Sequence, residues 1–347
     1  MTPSLRHLVS VDDLDLKTLA QLILVTARIK EAYDHGLDSP EWIPYSVLLR
    51  RRVVGVPFYE ASTRTNLSSR VAAQRLGADD LPTDNAGTIS SAAKGEGVAA
   101  AAGIYSLYVD ALVQRHPCEN SAALAAEASH VPFINAGAGA GEHPTQALLD
   151  IFTIWEHFGG LHGKTLTVVG DLKYGRTVHS LVKLVARFKD TDCSPFARCI
   201  LVSPESLQLP EYLETELEQN GMDVVRCNDL SPQLVRESDV IYMTRTQKER
   251  AGWWHKLIYR LDAALKRIDL SGFVPADIVL TEALARQMRD TSLILHPLPK
   301  GKYELPDAVD RLPQAQYMEQ ARNGLFTRMA LLIYFLRYDT FTTLCRP

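Results

Sequence analysis

Residues 58 to 69 read FYEASTRTNLSS, so Ser62, Thr63, Arg64 and Thr65 follow directly on the apolar run Val53–Phe58. Val71, Ala72 and Leu76 then recur at helical spacing up to Gly77, which puts the four polar residues where a strand passes into a helix N-terminus. Such a turn suits an anion. The first N–H groups of a helix have no intrahelical partner, its dipole is positive there, and hydroxyls and a guanidinium add donors. An ordinary Ser/Thr cap beside a surface arginine would use the same residues, so the rest of the chain must separate the two readings.

Residues of similar type follow the other apolar runs. Arg115-His116-Pro117 come after the run at 111–113, and a glycine-rich loop after 131–135 leads to His143-Pro144-Thr145-Gln146. Gly170-Asp171 lead to Arg176, Met243 leads to Thr244-Arg245-Thr246-Gln247, and Leu295 leads to His296-Pro297-Leu298-Pro299. Each has a structural explanation by itself: Arg115 as a surface charge, His143 as a satisfied core imidazole, Arg176 on a helix face, Gln247 in a loop. Together they are harder to dismiss, because in open parallel sheets ligands bind beyond the carboxyl ends of the strands. The chemistry they suit is the grip of a small, highly anionic substrate.

Two nucleotide patterns fail on spacing. In NAGAGAGEHP, Gly137 and Gly139 would need a third glycine at 142, which is Glu142. In GDLKYGRT, Gly170 and Gly175 stand as in a phosphate-binding loop, but Arg176 occupies the lysine position. Neither NAD nor ATP is expected, and the pattern calls for no metal or other cofactor.

Short apolar runs alternating with helical stretches indicate an α/β chain with parallel sheets. Strands are expected at 53–58, 111–113 and 131–135 in the first half, and at 165–169, 200–202, 224–226, 240–243 and 293–295 in the second. The stretch HPTQALLDIFTIWEHFGG, with Leu148, Leu149, Phe152 and Trp155 at helical spacing, is the natural connector of two domains. The final apolar helix, NGLFTRMALLIYFLRY, needs a partner and is expected to pack back on the first domain. The predicted limits are 1–146 completed by 323–347, and 147–322.

A chain of 347 residues, 46% hydrophobic and 22% charged, is ordinary for a globular protein of two domains. Net charge of -4 offers no electrostatic case for nucleic acid or an anionic membrane. The five cysteines, Cys118, Cys193, Cys199, Cys227 and Cys345, include no CxxC pair and read as reduced thiols. No signal peptide is evident at the N-terminus, and the apolar tract 325–336 is interrupted by Arg328 and is too short to span a membrane. A cytoplasmic protein is expected.

The segments FYEASTRT, YVDALVQRHP, EHPTQALLDIFTI, GDLKYGRTVHSL, MTRTQKER and HPLP, taken in combination, resemble the transcarbamoylase family along essentially the whole chain. Ornithine-specific members usually carry His-Cys-Leu-Pro and Ser-Met-Gly segments where this chain has His296-Pro297-Leu298-Pro299 and Arg245-Thr246-Gln247, so the resemblance is to the aspartate side. It implies two Rossmann-like domains, and carbamoyl transfer from carbamoyl phosphate to the amine of L-aspartate, an early step of pyrimidine biosynthesis. Transfer to another amine such as ornithine, or a non-catalytic relative, are the alternatives. It further implies that Ser62, Thr63, Arg64 and Thr65 hold the phosphate, that Arg115 and His143 polarise the carbonyl beside Thr65, and that Gln146 orients the carbamoyl amide. Arg176, Arg245 and Gln247 would grip the aspartate carboxylates, and the backbone of Pro297-Leu298-Pro299 would steer the amine. Ser90 and Lys94, in SSAAKGEG, match residues that reach a neighbouring subunit's site, which implies a homotrimer; otherwise Lys94 reads as a solvated loop residue. The resemblance leaves open whether regulatory or dihydroorotase-like partner chains assemble around the trimer.

Three positions depart from the family pattern: Asn66 where a larger residue is frequent, and Gly97 and Ala100 where a hydroxyl and a carboxylate are usual. The stretch 251–273, with Trp253 and Trp254, is longer than usual and has no catalytic role assigned.

Overall fold

The computed structural model describes residues 6–187, 196–244, 278–301 and 304–346. Arg245, Gln247, Trp253, Trp254 and the whole 251–273 stretch lie outside the described residues. In the first sheet β1 (Val53–Phe58), β2 (Asp79–Asp84), β3 (Ala111–His116) and β4 (Phe133–Ala138) lie in the order β2-β1-β3-β4, all parallel. In the second, β5 (Thr165–Val169), β6 (Arg198–Val202), β7 (Asp223–Cys227), β8 (Val240–Met243) and β9 (Leu293–Leu295) lie in the order β7-β6-β5-β8-β9, again all parallel.

Parallel neighbours require crossovers, and helices supply them. After α1 (Leu16–Asp34), the first sheet is connected through α2 (Thr63–Arg75), α3 (Ala86–Ile89), α4 (Val98–Tyr105) and α5 (Ser121–Ala128). The long α6 (Pro144–Phe158) leaves β4. In the second sheet α7 (Arg176–Ala186), α8 (Glu211–Gln219) and α9 (Pro232–Glu237) connect successive strands, and α10 (Glu282–Ala285) precedes β9. The chain ends in α11 (Tyr317–Leu336) and α12 (Tyr338–Leu344). No helix among the described residues is long and apolar enough to cross a membrane.

The order of each sheet creates one crevice. From β1 the chain moves outward to β2 and then returns to the other side of β1 as β3; from β5 it moves out through β6 and β7 and returns as β8. Strand order therefore reverses between β1 and β3 and between β5 and β8, where neighbouring connections diverge and leave a space for ligand.

Several strand limits correct the sequence expectation; β4 starts at Phe133 rather than 131 and β6 at Arg198 rather than 200, and three differences bear on the site. β2 was not expected, because DDLPTD has no apolar run; it is an edge strand, and its pairing with β1 from Val53↔Asp79 to Phe58↔Asp84 rests on backbone groups. β3 runs on through Arg115 and His116 rather than stopping at 113, so these two residues end the strand instead of following it. β4 extends to Ala138 rather than 135, held by the His116↔Ala138 pairing across a bulge. Gly137 lies inside that extension at φ 118, a conformation that favours glycine.

Two compact units result: Met1–His157 together with Ala321–Pro347, and Phe158–Gln320. Within the first, α11 packs as the sequence predicts. Phe326, Met329, Ala330 and Ile333 are fully buried, and complete burial of a Phe, Met or Ile side chain is worth about 1.5–3 kcal/mol. Its polar residues are also anchored. Asn323 donates to Thr153 Oγ1 at 3.1 Å and Glu156 Oε2 at 3.0 Å, and Glu156 pairs with Lys30 at 2.6 Å. The Phe326 ring meets Tyr33 edge-on at 5.2 Å between centroids.

Candidate active site

The turn after β1 is built as an open helix N-terminus. Ser62 is extended (φ -158, ψ 112) and takes the N-cap place of α2, yet its side chain makes no capping hydrogen bond. The sequence alternative of a conventional serine cap is therefore not what the structure holds. Thr63 and Arg64 are exposed on the first turn and Thr65 is buried. Arg64's carbonyl is taken by the Ser68 hydroxyl at 2.6 Å, and Thr65's by Ser69 at 2.7 Å. These bonds stiffen the turn without using the Thr63, Arg64 or Thr65 side chains. A cleft of about 290 Å³ opens beside it, lined by Glu60, Ser62, Thr63, Asn66, Arg70 and Asn85 among others.

On the other side of the strand-order reversal stands Arg115, 9% exposed and in register with Phe58. Its guanidinium reaches Glu60 Oε1 at 3.4 Å and the Ala136 carbonyl at 3.5 Å, both at the long end for a hydrogen bond. His116 points elsewhere: Nδ1 accepts from the Cys118 N–H at 3.1 Å and the ring lies 4.8 Å from that of Tyr59. Burial lowers its pKa and pushes the Tyr59 hydroxyl up to about 12.

From the loop after β4 comes His143, 2% exposed. Its Nε2 is 3.3 Å from Thr65 Oγ1 and its Nδ1 is 3.3 Å from Thr145 Oγ1. Pro144 starts α6, where its missing N–H costs nothing, and Gln146 Nε2 donates to Asp150 Oδ1 one turn on, at 2.9 Å. The structure thus joins Thr65 and His143 directly, with Ser62, Thr63 and Arg64 on the same first turn as Thr65 and Arg115 on the neighbouring strand.

Ser90 and Lys94 lie apart, in the short segment between β2 and α4. Ser90 is half-buried, donates to the Ala86 carbonyl at 2.5 Å and accepts from Ala92 N–H at 3.2 Å; Lys94 is exposed and ends its 3-10 turn just before Gly95, at φ 94. Of the unusual positions, Asn66 is buried and donates to Asp84 Oδ1 at 2.7 Å, tying α2 to the end of β2. Gly97 caps α4 in an extended conformation with open space around its α-carbon, and Ala100 is exposed. Neither has a contact that explains the departure.

The second unit places Arg176 in the equivalent position. It is the first residue of α7 and only 7% exposed, after a turn in which Gly170 (φ 117) passes so close to Thr244 that a β-carbon would sit 2.3 Å from the Thr244 carbonyl oxygen. Thr244, the last described residue after β8, donates its N–H to the Val169 carbonyl at 2.8 Å. After β9, Leu298 is held in the left-handed region (φ 55) with its N–H on His296 Nδ1 at 2.7 Å. His296 Nε2 faces Glu304 at 3.7 Å. Burial raises the pKa of Glu304, but the facing His296 imidazole and the hydrogen bond from the Gly301 N–H outweigh it and hold the carboxyl below its usual value. His296 therefore serves the loop: it fixes Leu298.

Three residues near the site were not expected. Glu60 follows β1 and balances Arg115; Thr145 was noted only as part of the motif; Arg328 reaches Thr145 from α11, its Nη2 donating to Thr145 Oγ1 at 3.1 Å. The only sequence signal for Arg328 was a charge interrupting an apolar tract.

Both halves of the chain match known protein families. Residues 6–156 match the family described as aspartate/ornithine carbamoyltransferase, carbamoyl-P binding domain, and residues 162–335 match its Asp/Orn binding domain. The chain is 38% identical to the aspartate carbamoyltransferase catalytic subunit of Vibrio campbellii, over 95% of this chain and 96% of that one. It is 40% identical to that of Photobacterium profundum over the same shares. Among solved structures, aspartate transcarbamoylase from Trypanosoma cruzi in complex with carbamoyl aspartate and phosphate superposes with a TM-score of 0.80 at 35% identity, covering 94% of this chain and 95% of that one. With both halves matched and the identity sustained end to end, the chain belongs to the aspartate/ornithine carbamoyltransferase family.

Proposed function

We propose that the protein is a carbamoyltransferase that moves the carbamoyl group of carbamoyl phosphate to the amine of L-aspartate, releasing N-carbamoyl-L-aspartate and phosphate. The observation that carries this is the buried pair of Thr65 Oγ1 and His143 Nε2, 3.3 Å apart, beside an open helix N-terminus and Arg115. Support for aspartate as the acceptor comes from the relatives, which are aspartate carbamoyltransferases.

In this reading the phosphate sits against the first turn of α2, on Ser62, Thr63, Arg64 and Thr65. The carbonyl oxygen faces Thr65, Arg115 and His143, and Gln146 orients the carbamoyl amide. Arg176, with Arg245 and Gln247, grips the two carboxylates through charge-assisted bonds, and the Pro297-Leu298 backbone steers the amine. Attack forms the C–N bond, the C–O bond to phosphate breaks, and an amine proton leaves with the phosphate. No covalent enzyme intermediate is needed. Rate comes from positioning the two substrates and from donors already aimed at the oxygen that gains charge. The division of labour places carbamoyl phosphate in residues 1–146 with 323–347 and aspartate in 147–322.

Ser90 and Lys94 complete the site of a neighbouring chain in a homotrimer. This reading is supported by their place in a short segment with the Lys94 side chain in solvent. Lys94→Ala and Arg64→Ala chains, each inactive, then regain partial activity when mixed and reassembled; verified hybrids without activity would refute the shared site. In this reading the protein works in the cytoplasm, and the trimer is the unit to which regulatory or dihydroorotase-like chains would attach.

The test is product formation from carbamoyl phosphate with aspartate and, separately, ornithine. Carbamoylaspartate should form and carbamoylornithine should not. N-(phosphonacetyl)-L-aspartic acid, which T. cruzi aspartate transcarbamoylase binds, should inhibit far more tightly than either substrate binds. Inhibition no better than that of inorganic phosphate would contradict the two-substrate reading.

A further inference from the structure

Arg328 is buried in the first unit, yet it is charged and near the site. Its Nη1 donates to the Gly324 carbonyl at 2.8 Å and its Nη2 to Thr145 Oγ1 at 3.1 Å. Burial brings its pKa down to about 10, with Asp150 opposing the shift, so it stays protonated at neutral pH. A guanidinium has only donors, and a hydroxyl has one proton to give. Thr145 Oγ1 must therefore accept from Arg328. Among the described residues the other neighbour of the hydroxyl is His143 Nδ1, 3.3 Å away, and it takes the hydroxyl proton, because an Nδ1–H donating to the second lone pair instead would leave that buried proton without an acceptor. A ring nitrogen that accepts a hydrogen bond carries no proton, so in the neutral ring the proton belongs on Nε2. That nitrogen faces Thr65 Oγ1.

We propose that Arg328, acting through the Thr145 hydroxyl, is a positioning residue that locks His143 in the Nε2–H tautomer. The consequence for chemistry rests on the functional reading above: only that tautomer lets neutral His143 donate a hydrogen bond to the carbamoyl oxygen. The lock itself is a property of the folded chain and needs no substrate. Gly324 makes room for it, since a β-carbon there would come within 2.6 Å of Arg328 Nη1 and 3.1 Å of Leu149 Cδ2.

The experiment is long-range proton–nitrogen NMR on protein labelled with nitrogen-15 histidine, with the His143 signals assigned by their loss in His143→Gln. Wild type should show Nε2 protonated and Nδ1 bare. Thr145→Val, which keeps the shape and removes the hydroxyl, should release that preference and lower kcat about tenfold or more; Thr145→Ser should restore both. Gly324→Ala, remote from substrate, should shift the same signals by displacing the guanidinium. A wild-type His143 protonated on Nδ1, or a Thr145→Val protein with the tautomer unchanged, overturns the proposal. If Thr145→Val does not fold, the wild-type, Thr145→Ser and Gly324→Ala spectra still decide. A wild-type chain with the expected tautomer that forms no carbamoylaspartate supports the lock and sinks the functional reading.

Discussion

Ser62 to Thr65 in the first unit and Arg176 in the second occupy the same place in their sheets, the start of the helix that follows a strand at the strand-order reversal. The residues differ in reach. On α2 the three side chains beside Arg64, those of Ser62, Thr63 and Thr65, are all short hydroxyls, one of them buried, so an anion there would come up against the helix backbone itself. On α7 the donor is a buried arginine, which would hold a ligand a side-chain length from the helix and supply a full charge. The first arrangement suits a compact dianion that can use N–H groups and the dipole together. The second suits a planar carboxylate met by a planar fork. In the proposed reading the same place in two sheets would thus accommodate two anions, with side-chain length deciding which.

The comparison breaks most visibly at Arg64. Arg64→Ala should lower kcat/KM about a thousandfold while circular dichroism and thermal melting stay near wild type, because the side chain is exposed; near-normal turnover would remove the phosphate from this turn. Next comes Arg176→Ala, for which the KM for aspartate should rise about ten- to a hundredfold with carbamoyl phosphate affinity, measured by calorimetry, preserved. The reverse pattern would show the two anions assigned to the wrong units.

Asn66→Ala should act on stability rather than chemistry. Losing the 2.7 Å bond to Asp84 from a buried amide should cost about 1–2 kcal/mol in urea unfolding, with both KM values nearly unchanged; a large KM effect would make Asn66 part of the phosphate turn. The smallest effect concerns acid. Burial lowers the pKa of His116 from 6.5, so the unfolded chain binds more protons just below that pH and the folded state loses stability as pH falls through it, levelling off below the folded pKa. Glu304 in the second unit is shifted the same way, downward, although by hydrogen bonding against burial rather than by burial: its depressed pKa contributes stability above 4.5 that is lost as pH falls through the folded value. His116→Asn should flatten the stability profile below pH 6.5 and leave the more acidic limb in place. An unchanged slope would mean that other groups set it.

The central strands were legible because burial on both faces demands apolar runs. β2 was not, since an edge strand made of Asp79, Asp80, Leu81, Pro82, Thr83 and Asp84 pairs through its backbone and keeps polar side chains outward. Strand ends at His116 and Ala138 were missed for a related reason, because register continues where hydrophobicity stops. Of the candidate site, Ser62 to Thr65, Arg115, His143 and Arg176 could be found by looking where each apolar run ends, although Arg115 is still inside β3. What Glu60, Thr145 and Arg328 do could not, because it depends on side chains meeting across distances that no local pattern encodes. A charge inside an apolar helix was visible at Arg328, but its partner lies 183 residues away.

That separation has a consequence for how the protein is made. Both borders of the second unit fall inside helices, α6 between His157 and Phe158 and α11 between Gln320 and Ala321. The first unit is therefore finished only by residues translated after the whole of the second. A nascent chain halted before α11 would carry every strand of the first sheet and the whole phosphate turn, but with the apolar surface that α11 covers left bare and Thr145 without its guanidinium. Ribosome-bound intermediates should accordingly be targets for chaperones, and chains cut short by premature termination should be inert as well as unstable, because the histidine is oriented from the last part of the fold to be synthesised.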